Sequence, residues 1–199
     1  MTGDTMVGKS AADDVQRVAL KVFLTDDSEL EPAAAIPVFH RWIQTHAVDG
    51  LLIDVADYTH LPSGPSVLLV AHEGQYALDR TGGRLGLQYT RTRPLEGTLS
   101  ERLLTIWHTL LGAARTLETE ATLTGPVRFE RHVVDCIAID RLRAPNTPAT
   151  LAALRPPLDL FLSQVTAQAQ WSLTQDQEPG APFRVTARTS PSTPFDPVR

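Results

Sequence analysis

The chain has 199 residues, 42% of them apolar and 21% charged, with a formal net charge of −5. That is enough chain to bury one core, and the balance is that of an ordinary globular domain. No run approaches the roughly 20 apolar residues that cross a bilayer, and no dense basic patch is present to neutralise phosphates. Neither a membrane nor nucleic acid is therefore expected as a partner.

Residues 1–15 are small, polar and acidic, without the basic start and apolar centre of a secretory signal. They read as a flexible leader. Val18–Leu24 reads as the first strand. Pro32 and Pro37 limit where the next helix can begin, and Pro37 suits a first-turn position. From there Phe39, Trp42, Ile43, His46 and Ala47 recur at helical steps, and Gly50 supplies the expected stop.

Leu51–Asp57 reads as a buried strand, Pro62–Pro65 as a turn, and Val67–Glu73 as a second apolar strand. Residues 75–79 and 84–91 flank Arg80-Thr-Gly-Gly-Arg84, a hairpin signal. Thr98 and Glu101 have the spacing of a capping box. The helix they open runs to Glu118, with Leu99, Leu103, Ile106, Trp107, Leu110, Leu111, Ala114 and Leu117 on one face. Phe129–Asp140 is strand-like, with a bend expected near Arg131 and His132.

Asn146-Thr147-Pro148 caps a helix that reaches Gln164, which Arg155-Pro156-Pro157 is expected to kink or split. Trp171–Thr174 and Phe183–Thr189 close the body as a hairpin. The segment 189–199 carries Pro191, Pro194 and Pro197 and reads as a disordered tail. The expected organisation is a leader over 1–15, one domain over 16–188 and that tail. The expected fold class is α+β: a mixed, largely antiparallel sheet with about three helices packed on it.

Cys136 is the single cysteine, so an intrachain disulfide, thiolate-clustered zinc and CxxC redox chemistry are all excluded. A reducing, cytoplasmic setting fits. Cys136 itself lies in a strand and reads as a small buried side chain.

Gly3-Asp-Thr-Met-Val-Gly8-Lys9-Ser10 matches the phosphate-binding pattern GxxxxGK(S/T) letter for letter. That loop works when a buried strand delivers it and a helix N-terminus follows. Only Met1 and Thr2 precede Gly3 here, and ordering an unanchored loop costs about 1–2 kcal/mol per residue. The match reads as accidental.

The polar groups in apolar strands carry more interest. Alternation puts Asp54 on the side of Leu52 and Ala56, and Asp57 on the side of Ile53 and Val55. His60 follows Asp57, while His72 and Glu73 end the next strand. If the two strands are neighbours, a carboxylate could orient an imidazole for general base work, which makes Asp54, Asp57, His72 and Glu73 the catalytic candidates. His60 and His72 could instead supply nitrogen ligands to a metal. The bland alternative is that a buried Asp54 bonds backbone amides or His72 and fixes the loop over 58–66. His40, His46, His108 and His132 read as scattered, with His132 exposed at a turn.

Ile36-Pro-Val-Phe-His-Arg-Trp-Ile-Gln44, Leu52-Ile-Asp-Val-Ala-Asp-Tyr58, His72-Glu73 and Ala144-Pro-Asn-Thr-Pro148 resemble a family of uncharacterised bacterial proteins over most of residues 20–165. The resemblance implies a bacterial origin and carries over no activity, cofactor or catalytic residue.

Two functions follow as expectations. One is a binding or assembly module without catalytic chemistry, partnered by a small molecule or a protein and self-associating through a sheet edge or the long helix. The other is a small-molecule enzyme or sensor using the Asp/His/Glu cluster, with or without a metal.

Overall fold

Among the described residues, period-two apolar patterning turns eight segments into strands, and three longer amphipathic stretches become helices. The computed structural model describes residues 11–166, 170–178 and 180–195. In chain order the elements are β1 (Val18–Leu24), α1 (Ala35–Thr45), β2 (Leu52–Asp57), β3 (Pro65–Ala71), β4 (Gly74–Asp79), β5 (Gly86–Arg91), α2 (Leu99–Glu118), β6 (Phe129–Ala138), α3 (Pro148–Val165), β7 (Trp171–Gln175) and β8 (Phe183–Thr189). The strands form one sheet in the order β2-β3-β4-β5-β1-β6-β8-β7. Every neighbouring pair is antiparallel. The fold is α+β, and no described helix is long and apolar enough to cross a membrane.

Residues paired across neighbouring strands share a face. One row runs Val55, Leu69, Tyr76, Tyr89, Leu20, Cys136 and Val185. These side chains join the core made with Phe39 and Trp42 of α1, Ile106, Trp107 and Leu110 of α2, and Leu158 and Phe161 of α3. All three helices therefore cover one face. The next row, Ala56, Leu68, Ala77, Gln88, Lys21, Asp135, Thr186 and Thr174, belongs to the face that no helix of the described residues covers, the helix-free face below.

Local chemistry sets the helix ends. Pro32 opens a short 3-10 turn that feeds α1 from Ala35, and Pro37 sits in the first turn, as its fixed φ suits. α1 stops earlier than Gly50 suggests, because His46 takes a left-handed conformation at φ 52° and its N–H bonds the Trp42 carbonyl. At α2 the Glu101 carboxylate accepts the Thr98 N–H at 2.7 Å, and Thr98 Oγ1 accepts the Glu101 N–H. α3 runs unbroken through Pro156 and Pro157. The missing amides would have bonded the carbonyls of Ala152 and Ala153, which are exposed and can bond water instead. The bend expected in β6 is a register shift opposite Val22 and Leu24, whose partners are Val134 and Phe129. His132 is half-buried within this strand rather than exposed at a turn.

Both ends of the domain extend further than polarity and proline content suggest. Ala12 and Val15, expected in a loose leader, are buried in the core. Asp13 Oδ1 accepts the Leu99 N–H at 2.9 Å, beside the α2 cap. In the segment read as a disordered tail, Thr189 ends β8 and Phe195 is 2% exposed. The Phe195 ring lies 5.8 Å from that of Trp107, and its N–H bonds the Arg131 carbonyl. One large apolar side chain outweighs the local bias of the neighbouring prolines. The GxxxxGK(S/T) match at 3–10 lies outside the described residues.

Candidate functional site

β2 is an edge strand, not a buried one, and Leu51 and Ile53 are 59% and 56% exposed. A bulge falls between Leu52, paired with Ala71, and Asp54, paired with Val70. The extra residue puts Leu52 in the core and Asp54 on the other face, opposite to plain alternation. Asp54 is exposed, and its carboxylate accepts the Val55 N–H at 2.8 Å. It is not the buried acid expected from the sequence, and the loop over 58–66 does not hang on it.

His72 is exposed and bonds the Leu51 carbonyl through its backbone N–H, so it stands further along the edge than Asp54. Glu73 Oε2 accepts the Leu51 N–H at 3.1 Å, and that bond holds its carboxyl below the usual carboxylate range. Asp57 Oδ1 accepts both the N–H and the hydroxyl of Thr59, at 2.8 and 2.7 Å, which lowers its pKa too. His60 is exposed, with its ring 6.4 Å from Tyr58. The structure thus brings His72 beside Glu73 and His60 beside Asp57, and leaves Asp54 apart. Among the described residues no three His, Cys, Asp or Glu side chains group as a metal ion would require. His40, His46 and His108 are exposed. Cys136 is buried, and burial pushes its thiol far above the ordinary value, which keeps it from acting as a nucleophile.

The other concentration of polar groups lies on the helix-free face. Lys21 in the central strand β1 is 0% exposed. Its Nζ donates to Asp79 Oδ1 at 2.8 Å and to the carbonyls of Thr81 and Arg84 at 3.1 and 3.0 Å. Burial pulls its pKa down, and the Asp79 carboxylate opposes that pull. Gly82 and Gly83, at φ 75° and 78°, let the turn between β4 and β5 aim those carbonyls at Lys21. Gly86 clears the path of the side chain, since a Cβ there would sit 2.9 Å from Lys21 Cε.

Beyond this anchored turn an open cleft of about 220 Å³ spans β1, β6, β8 and β7, walled by Phe23, Arg84, Thr174, Arg184, Thr186 and Arg188. Arg84 stacks over the Phe23 ring at 4.3 Å and pairs with Glu130. Asp135 on the floor is 3% exposed and accepts the Thr186 hydroxyl at 2.7 Å. Burial raises its pKa, and Thr186, Arg184, Lys21 and Arg188 partly offset that. Arg184 Nη1 is 3.8 Å from Asp135 Oδ2, an ion pair too long for a hydrogen bond. Guanidinium and hydroxyl groups in this arrangement can recognise oxygen atoms of a ligand.

Sequence reasoning passed over Lys21, Asp79, Asp135, Arg184 and Arg188. The signals were a lysine inside Val18-Ala-Leu-Lys-Val-Phe-Leu24, an aspartate inside Val133-Val-Asp-Cys-Ile-Ala138, and the strict alternation of Phe183-Arg-Val-Thr-Ala-Arg-Thr189. No protein-family model, curated protein or solved structure matches this chain.

Proposed function

We propose that this chain is a cytoplasmic bacterial binding or assembly module without catalytic chemistry, and that it takes its ligand on the helix-free face of the sheet. The observation that carries this reading is the cleft beside the Lys21-anchored turn. Most of its walls are side chains of regular strands, its floor is the buried Asp135 held by the Thr186 hydroxyl, and the Lys21–Asp79 pair anchors the turn beside it. Such a surface is preorganised, so a ligand would pay little ordering entropy on docking. The carboxylates of Asp57 and Glu73 are committed to neighbouring backbone amides, which favours binding over the cluster-based enzyme or sensor.

A thermal-shift panel of carboxylates, phosphates, amines and neutral sugars on the intact chain tests it, with Thr174→Trp to fill the cleft. At least one class should raise the Tm of the wild type and not that of the variant. A panel that moves neither protein removes the reading. Self-association would use the β2 edge, where Leu51 and Ile53 stand exposed beside unpaired backbone. Sedimentation at rising concentration tests that half, and a monomer throughout ends it.

A further inference from the structure

Arg184 and Arg188 lie on the same side of β8, with Thr186 between them, and both project from the helix-free face. The Arg184 side chain is only 14% exposed. Its guanidinium reaches the turn opposite, where a Cβ on Gly82 would stand 3.5 Å from Nη1. A guanidinium offers five N–H donors, yet among the described residues Arg184 has the long approach to Asp135 and no hydrogen-bonded acceptor. Arg188 is exposed and likewise has no acceptor there.

Each acid around the cleft already has a donor. Asp135 takes the Thr186 hydroxyl, Asp176 Oδ1 takes the Glu178 N–H, and Glu130 takes Arg84. Of the charged residues that line the cleft three are arginines, Arg84, Arg184 and Arg188, and two are aspartates, Asp135 and Asp176, which leaves one positive charge in excess. The chain as a whole carries a net charge of −5, so this positive spot is local and not part of a general attraction for anions.

We infer that the cleft binds a small molecule through an oxyanion, carboxylate or phosphate, gripped between the guanidinium groups of Arg184 and Arg188. The inference rests on the cleft being the binding site and adds the chemistry of what it holds. Two guanidinium forks facing one opening match the paired oxygens of either group, and such charge-assisted bonds are the strong ones. Arg184 provides the fixed half of the grip, because strand packing and the Asp135 carboxylate orient it. Arg188 provides the adjustable half.

Titration calorimetry of the intact chain with inorganic phosphate and with succinate, against sodium chloride at equal ionic strength, tests this. One or both oxyanions should bind where chloride does not, and the stronger of the two identifies the group. Arg188→Gln, an exposed change that leaves the fold intact, should weaken binding about tenfold, the scale of one lost charged hydrogen bond. Arg184→Gln should weaken it at least as much, with circular dichroism confirming the fold. Absence of binding beyond chloride, or binding that Arg188→Gln leaves unchanged, overturns the inference. If a neutral or cationic compound stabilises the wild type but not Thr174→Trp while phosphate and succinate fail, the oxyanion is wrong and the binding site stands. If nothing binds, both fall.

Discussion

The Nζ of Lys21 and the Oδ1 of Asp79 meet at 2.8 Å, with side-chain exposures of 0% and 5%. Asp79 also accepts the N–H and hydroxyl of Thr81, each at 3.0 Å. One buried pair thus ties the centre of the sheet to the turn that walls the cleft. Breaking it on one side leaves an uncompensated buried charge.

Asp79→Asn should therefore cost about 3–5 kcal/mol of unfolding free energy, measured in urea. The double change Lys21→Met with Asp79→Leu should cost much less than the two single changes added together, since no charge is left stranded. Additive losses would show that the two side chains act independently.

The capping box at α2 predicts a pH effect. Accepting the Thr98 N–H and hydroxyl holds the Glu101 carboxyl below its ordinary value of 4.5. A carboxyl with a lowered folded pKa contributes stability above the ordinary value, and that contribution is lost as pH falls through the folded one. Glu101→Gln should melt below wild type at neutral pH, and the gap should close in acid. A gap of constant size across that range would mean that the charge of Glu101 plays no part.

Phe195→Ala removes a ring packed against Trp107 and should cost about 3–5 kcal/mol, the usual range for a buried phenylalanine. Trp107 fluorescence should change in the folded variant, because the ring partner 5.8 Å away is gone. An unaltered melting curve would place Phe195 outside the core.

Asp54→Ala and His72→Ala change exposed positions at the β2 edge. Each should leave stability within about 0.5 kcal/mol of wild type. A larger loss from either would mean that the edge relies on a contact besides those of Val55 and Leu51.

Elements with a strong local signal were legible in the sequence. β1, α2 and β8 follow the residues that periodicity and capping mark out, because the local pattern and the tertiary packing agree there. The candidate site was not legible. Asp54 looked buried because its neighbours are apolar, yet an edge position and a bulge decide its environment, and both depend on the pairing of strands far apart in sequence. Lys21 and Arg184 stand well apart along the chain and share a face only through the register of β1 with β6 and of β6 with β8. Phe195 shows the same limit, since the proline bias around it is local and its pocket on α2 is not.

The place of β1 in the sheet has a consequence for the growing polypeptide. Along the chain β1 precedes both strands that flank it in the sheet, β5 and β6, so both of its neighbours are made after it. A nascent chain emerged as far as Gly125 can complete β2 through β5 and pair β5 with β1, but the opposite margin of β1 stays open. Lys21 is then anchored while Asp135 is still missing. Any delay before β6 arrives leaves a bare apolar ribbon for chaperones to shield.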